Sequence, residues 1–220
     1  YHGEYCTYHE SGRIESKCKF VEGEKHGLEQ TFYIDGSVKF EANYRFGKLH
    51  GAYRKFLGSE EVETANYVND LLHGTYQKID NTTRIVRQYN MGKLHGLCIV
   101  YESDSIVKQF TMKNGVLHGP HMSIECCYTV NDNYFNGFLH GETVATRNNI
   151  KYVIQFQNGI MHGKCQIYRK NKLIIDAEYN HGIREYVKKI KPRKNIDDDD
   201  SDCRNCKFKH DARFYELIKD

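Results

Sequence analysis

The dipeptide His-Gly recurs eight times in this 220-residue chain, at intervals of 22 to 24 residues. A degenerate ninth copy ends at Glu185. A glycine stands three residues before most of these histidines, and a large apolar side chain stands six residues before them, as in residues 44–51 (YRFGKLHG). Asp70 takes the place of the glycine in one copy. A fixed period in this range is typical of a repeat architecture, in which each unit packs only on its neighbours.

The Gly-x-x-His-Gly segments are predicted to be turns between consecutive strands, because glycine adopts backbone angles that other residues avoid. In three of them the first glycine follows an asparagine, and the dipeptide Asn-Gly is among the strongest hairpin signals. The predicted turn residues are Gly23, His26, Gly27, Gly47, His50, Gly51, His73, Gly74, Gly92, His95, Gly96, Gly115, His118, Gly119, Gly137, His140, Gly141, Gly159, His162 and Gly163.

The residues before each of these turns alternate between apolar and polar. In one repeat the apolar positions are Val38, Phe40, Ala42 and Tyr44. Alternation with a period of two predicts a half-buried β-strand. A second short strand follows each His-Gly and ends in a second turn, so each repeat is predicted to be two antiparallel strands. Charged residues interrupt the predicted inner face in the middle repeats, at Arg87, Lys108 and Asp132.

Residues 1–27 (YHGEYCTYHESGRIESKCKFVEGEKHG) resemble the short variant of the MORN repeat. The resemblance extends over residues 1–187, or about eight repeats, and departs from the pattern at Asp70, around residues 126–129 and at Glu185-Tyr186. It implies an all-β fold, an elongated single-layer antiparallel sheet of stacked β-hairpin repeats. It also implies an assembly, scaffold or partner-binding role. Phospholipid binding is attributed to some family members.

Three regions are predicted along the chain. Residues 1–187 form the repeat array, whose N-terminal end we expect to be truncated because the sequence opens inside a repeat. Residues 188–202 are a linker with a basic cluster and then an acidic run, a pattern that is usually solvated. Residues 203–220 form a short Cys/His segment, and residues 212–219 have the pattern of a short helix.

The composition places limits on the partners. Lysine and arginine total 32 and aspartate and glutamate total 29, a balance that does not point to nucleic acid. No apolar run is long enough for a transmembrane helix. The eight cysteines share no position in the repeat, and two of them are adjacent, which favours free thiols in a reducing, intracellular setting. The alternative setting is a virus particle assembled in the cytoplasm.

One candidate metal site is present in the sequence. Cys203, Cys206 and His210 have a C-x-x-C-x-x-x-H spacing that can hold one zinc ion, although the segment lacks an evident fourth ligand. The repeated histidines are different, because equivalent residues two strands apart lie about 9.5 Å from each other and cannot share an ion. We therefore expect no cofactor, with one zinc ion in the C-terminal segment as the alternative.

The tyrosines are candidates for a binding surface. Those six residues before the histidines are expected to be structural. Tyr5, Tyr53 and Tyr76, three residues after a histidine, are expected to lie on the opposite, more exposed face and to form a possible partner face.

The resulting hypothesis is a non-enzymatic protein-binding or scaffold module with unidentified protein partners. One setting for it is a larger assembly such as a viral particle. Two alternatives stay open. One is a peripheral membrane or phospholipid-binding module. The other is a regulatory array of an enzyme whose remainder lies outside this sequence. No Gly-x-Ser-x-Gly, Gly-x-Gly-x-x-Gly or His-Glu-x-x-His motif is present, so the sequence indicates no catalytic residue.

Overall fold

The computed structural model of the chain describes residues 2–125 and 128–189. Every regular element within these ranges is a β-strand, and the predicted all-β fold of antiparallel hairpin repeats is confirmed. The strands are β1 (Gly3–Tyr8), β2 (Ile14–Val21), β3 (Glu24–Lys25), β4 (Gly27–Phe32), β5 (Val38–Arg45), β6 (Lys48–Leu57), β7 (Glu60–Val68), β8 (Leu71–Leu72), β9 (Gly74–Asp80), β10 (Thr83–Asn90), β11 (Lys93–Leu94), β12 (Gly96–Glu102), β13 (Ser105–Lys113), β14 (Val116–Glu125), β15 (Tyr128–Phe135), β16 (Phe138–Leu139), β17 (Gly141–Arg147), β18 (Ile150–Gln157), β19 (Ile160–Arg169), β20 (Lys172–Asn180) and β21 (Ile183–Lys189).

The strands form two compact units. Of the described residues, the first unit contains 2–121 and Tyr134–Phe138, and the second contains 122–125, 128–133 and 139–189. In the first unit, antiparallel pairing runs in chain order from β1 to β13. In the second, it runs in the same way through β15, β17, β18, β19, β20 and β21. Pairing between chain neighbours is what a hairpin repeat requires.

The turn before each His-Gly is a two-residue hairpin turn with both residues in the left-handed region. Asn114 has φ 53° and Gly115 has φ 87°, and Asn136 and Gly137 have φ 50° and 87°. Asparagine and glycine tolerate these angles, which match the twist of the flanking strands. Asp70, which replaces glycine, also adopts a positive φ of 66°. Its carboxylate accepts a hydrogen bond from the Leu49 backbone N–H at 2.8 Å, so the substitution adds a contact to the turn of the preceding repeat.

At each described His-Gly, the register between the two flanking strands shifts by two residues. Phe156 pairs with Met161, but Ile154 pairs with Cys165, so β19 carries two more residues than β18 across the same interval. Gly163, in the inserted stretch, has φ 95°. An insertion of two keeps the alternation of side chains in step, because the side-chain period of a strand is also two.

The second turn explains why the repeat length varies. The 24-residue repeats have a three-residue loop, such as Ile34-Asp35-Gly36, followed by a one-residue bulge. The 23-residue repeat that begins at His50 has a two-residue loop and keeps the bulge. The 22-residue repeat that begins at His73 has a two-residue loop and an uninterrupted ladder. The step from 24 to 23 residues therefore removes one residue from the loop, and the step from 23 to 22 removes the bulge.

The buried residues of each unit lie on one face of its strands. In the second unit they form a cluster of mainly apolar side chains: Ala145, Tyr152, Ile154, Phe156, Cys165, Ile167 and Ala177. In the first unit the fully buried apolar positions are small, namely Cys18, Ala42, Ala65 and Cys98. The larger side chains between those positions, including Tyr53 and Tyr67, are only half-buried. The first unit therefore leaves aromatic surface open to solvent.

Candidate functional site

The repeated histidines bond to the turn of the following repeat. The Nδ1 atoms of His73, His95 and His118 accept hydrogen bonds from the backbone N–H groups of Met91, Asn114 and Asn136, at 3.3 to 3.4 Å. In the second unit, His162 accepts from the His181 N–H at 3.5 Å. His26 instead packs its ring against Phe46, with ring centroids 5.2 Å apart. These contacts place the histidines in the junctions between repeats.

The glycine at the start of each Gly-x-x-His-Gly joins it to the preceding repeat. Its N–H donates to the carbonyl of the residue before the preceding histidine, as from Gly137 to Leu117 at 2.8 Å and from Gly92 to Leu72 at 2.8 Å. The absence of a side chain also leaves room for a neighbour. A Cβ on Gly137 would stand 3.1 Å from the Val116 Cγ1. The same glycine therefore donates a hydrogen bond to the preceding repeat and leaves space for a side chain of that repeat.

The glycine after the histidine faces the preceding strand. A Cβ on Gly96 would come within 3.2 Å of the Gln88 Cβ, and one on Gly51 within 3.4 Å of the Asn43 Cβ. Both glycines also have φ near 100°. The structure therefore places the predicted turn residues at the junctions between strands, and the geometry gives them a structural role.

The candidate zinc ligands Cys203, Cys206 and His210 lie outside the described residues. Within residues 2–125 and 128–189, no three histidine, cysteine, aspartate or glutamate side chains come together as a metal site. The three buried thiols of this part, Cys18, Cys98 and Cys165, are all free. Burial raises the pKa of each, to about 11 for Cys165. A raised pKa makes these thiols poor nucleophiles at neutral pH.

An aromatic face covers one side of the sheet in the first unit. We define it by Tyr44, Tyr53, Tyr67, Tyr76 and Tyr89, all of them half-buried. The ring centroids of Tyr53 and Tyr67 are 6.1 Å apart with the rings nearly perpendicular, and Tyr76 and Tyr89 repeat this arrangement at 6.1 Å. Edge-to-face pairs of this kind stabilise each other beyond the area that they bury.

The structure corrects one expectation about the tyrosines. Tyr53 pairs directly with the buried Ala42 and Ala65, so its side chain is on the same face as theirs. Tyr5 likewise pairs with the buried Cys18. The prediction that Tyr5, Tyr53 and Tyr76 lie opposite the other aromatic residues is therefore wrong.

The physical reason is the two-residue turn. Across it Tyr44 pairs with Leu49, so even-numbered residues before the turn share a face with odd-numbered residues after it. Counting along the sequence without this change of parity assigns the later tyrosines to the wrong side. Tyr5 is 48% exposed on the same side of the sheet, while Tyr53 and Tyr76 are half-buried within the aromatic face, so all three keep accessible surface on that side.

Carboxylates lie among the tyrosines. Glu29 is buried and binds the Lys25 ammonium at 2.6 Å, and that ammonium is 5.1 Å from the centre of the Tyr44 ring. Burial, together with the charge of Glu29 and a hydrogen bond to it, raises the pKa of Tyr44 to about 12. Glu63 accepts a hydrogen bond from the Tyr76 hydroxyl at 3.0 Å. Burial and this hydrogen bond raise the pKa of Tyr76 to about 12.

The charged residues that interrupt the inner face have separate surroundings. Arg87 pairs directly with Tyr76 and is half-buried on the aromatic face. Lys108 lies two residues from Phe110, and its ammonium is 5.7 Å from the centre of that ring. In the second unit, Asp132 is buried at 6% exposure and makes contacts within the structure. The alternation in the sequence identifies these positions but not the groups that surround them.

No protein-family model matches this sequence, and no curated protein matches it at a significant level. The described residues also contain no helix of the length and apolar character needed to cross a membrane.

Proposed function

We propose that this chain is a non-enzymatic protein-binding module of the MORN-repeat type, which holds a protein partner on the aromatic face of its first unit. One observation carries the proposal. Tyr53, Tyr67, Tyr76 and Tyr89 stand side by side on one face of a regular sheet and are only half-buried. Contiguous aromatic surface is unusual on an isolated domain and is enriched in protein interfaces, where tyrosine combines apolar area with a polar hydroxyl.

The geometry of the repeats supports the same role. Each ring is held by a strand that pairs on both sides, and the rings brace one another in pairs. A surface that is ordered before binding loses less conformational entropy when a partner docks. The second unit differs, because its equivalent face carries Ile154, Cys165 and Ile167, which are already buried. The first unit is therefore the favoured side for a partner.

The test compares two variants of the whole chain. Tyr53→Ser combined with Tyr76→Ser removes two rings from the aromatic face. Gln77→Ala combined with Thr64→Ala changes a directly paired couple on the opposite face of β7 and β9. Hydrogen exchange on both variants shows whether the sheet remains folded.

Each variant is used to capture proteins from native extract, with quantitative mass spectrometry as the readout. We expect at least one protein whose recovery falls about tenfold with the tyrosine variant and is unchanged with the control, since a hot-spot aromatic contributes about 1–2 kcal/mol or more. Equal recovery of every protein by the wild type and the tyrosine variant would overturn the proposal.

A further inference from the structure

Arg87 is an unusual residue for its position on the aromatic face. It lies on β10 directly opposite Tyr76, with Tyr89 two residues further along the same face. The side chain is half-buried. Among the described residues, the guanidinium has no hydrogen-bond acceptor and no carboxylate partner. None of its nitrogens is fully buried, so the guanidinium is within reach of an incoming anion and can donate hydrogen bonds to it.

The neighbouring charges leave this part of the face positive. Glu63 accepts the hydrogen bond from Tyr76, the residue directly opposite Arg87, and Glu63 itself pairs directly with Lys78 across the strands. A lysine therefore stands directly across from Glu63 and reduces the negative potential of this carboxylate at the face. Lys108 lies on the same side of the sheet, beside the Phe110 ring, and forms no ion pair within the part of the chain that the structure describes. Arg87 and Lys108 remain as two cations within an aromatic surface.

We propose that Arg87 is the anion-recognition point of the aromatic face, and that it binds the carboxylate of an aspartate or glutamate in an acidic segment of a protein partner. The proposal rests on the protein-binding function proposed above. The guanidinium presents a planar fork of donors that matches a carboxylate with two parallel hydrogen bonds. Apolar side chains of the same segment pack on Tyr76 and Tyr89, which flank the guanidinium.

The charge distribution favours a short acidic segment over an extended anionic surface. Glu29 lies on the same face and is held by Lys25, and Glu63 lies close to Tyr76. A membrane of anionic lipids would bring negative charge against both carboxylates at once. A short segment can instead place one or two carboxylates at Arg87 and Lys108 without approaching Glu29 or Glu63. Electrostatic complementarity of this local kind sets specificity and register.

The experiment uses the whole chain and a library of short displayed peptides of random sequence. The variants are Arg87→Met, Arg87→Lys and Arg54→Met. Arg54 lies on the opposite face of β6, between Tyr53 and Lys55 in sequence, and its replacement changes the net charge equally. We expect peptides selected on the wild type to be rich in aspartate and glutamate next to aromatic residues. This enrichment is lost with Arg87→Met and kept with Arg54→Met.

The affinity of one selected peptide is then measured by fluorescence anisotropy. An amide version of the same peptide, in which glutamine replaces glutamate and asparagine replaces aspartate, is measured in parallel. Arg87→Met is expected to weaken the acidic peptide about tenfold to a hundredfold and to leave the amide version unchanged, since hydrogen bonds to charged groups are the strong ones. Arg87→Lys retains part of the preference. The inference is overturned if acidic residues are not enriched, or if Arg54→Met and Arg87→Met weaken binding equally.

Two further outcomes separate this inference from the proposed function. If selected peptides depend on Tyr53 and Tyr76 but not on Arg87, the aromatic face binds protein and the role of Arg87 is refuted. If vesicles that contain phosphatidylserine bind the chain in an Arg87-dependent way and acidic peptides do not, the anion is a lipid headgroup and the choice of partner is refuted.

Discussion

The two turns Asn114-Gly115 and Asn136-Gly137 form a matched pair for measuring how repeats pack on each other. Both glycines have φ 87°, so an alanine at either position meets the same backbone strain. Their surroundings differ. A Cβ on Gly115 would have nothing within 4 Å, whereas one on Gly137 would stand 3.1 Å from the Val116 Cγ1. The difference between the two substitutions therefore isolates one steric contact between consecutive turns.

The expected magnitudes follow from these distances. Left-handed backbone costs an alanine about 1–2 kcal/mol, and the loss of freedom in the unfolded chain offsets about 0.4–1 kcal/mol of it. Gly115→Ala should therefore cost about 1 kcal/mol. Gly137→Ala should destabilise the fold by about 1 kcal/mol more than Gly115→Ala. This increment is at the low end for overpacking, because the Val116 side chain is 44% exposed and can move away from the new Cβ. Val116→Ala removes the methyl group that clashes and should cancel this additional cost.

Native-state hydrogen exchange is the suitable assay, because opening in a repeat protein is local and the affected junction can be read directly. The Gly137 amide donates to the Leu117 carbonyl at 2.8 Å, and the Gly115 amide donates to Leu94 at 2.7 Å. We expect a larger loss of protection at residue 137 in Gly137→Ala than at residue 115 in Gly115→Ala. Equal losses, or a Val116→Ala background that changes nothing, would refute the packing argument.

Three further predictions concern titration, thiol reactivity and metal. The pKa of Tyr76 is raised from 10.0 to about 12. The stability that the neutral Tyr76 side chain contributes is therefore complete below pH 10 and is lost as the pH rises toward 12. Tyr76→Phe should reduce the fall in the urea midpoint of unfolding between these two pH values. At pH 8 a thiol reagent should label Cys6, which is half-buried, before Cys18, Cys98 and Cys165, and peptide mass spectrometry that finds Cys165 labelled first would contradict the burial. If Cys203, Cys206 and His210 hold zinc, elemental analysis should find up to one ion per chain, and Cys203→Ser should release it without changing hydrogen exchange in the repeats.

The regular part of the fold was accessible from the sequence because one local signal is repeated. Asn-Gly turns, the alternation before them and the recurrence every 22 to 24 residues all favour the same hairpin. The variation in period also has a local cause, since the loop Ile34-Asp35-Gly36 is one residue longer than the loops of the shorter repeats. Where local turn signals, strand alternation and repeat length agree in this way, a single sequence is sufficient to predict the hairpin repeats.

The faces of the sheet were harder to assign. Tyr53 shares a face with Ala42 only because a two-residue turn reverses the parity and the His-Gly insertion then preserves it. Both effects depend on the register of pairing, which neither composition nor hydrophobicity displays. Arg87 shows a second limit. Its position on the inner face is visible in the alternation, but whether a carboxylate lies within reach depends on residues from other repeats.

The last repeat shows what the His-Gly pair does. Glu185-Tyr186 stand in its place, and the register between β20 and β21 shifts by one residue instead of two. Tyr179 pairs with Arg184, and Glu178 pairs with Tyr186. Val187 consequently lies opposite the buried Ala177, on the apolar face.

Restoring the repeat consensus at these two positions is therefore expected to destabilise the strand. Glu185→His with Tyr186→Gly would reinstate the two-residue shift and bring Lys188, in place of Val187, opposite Ala177. Protection of the β21 amides should fall about fivefold, equivalent to ~1 kcal/mol, because a lysine packs poorly in an apolar row even when its ammonium reaches water. Adding Lys188→Val should recover the protection, whereas Lys188→Val alone should not raise it. If the double variant instead gains protection on its own, His-Gly stabilises the turn directly, and the argument from register fails.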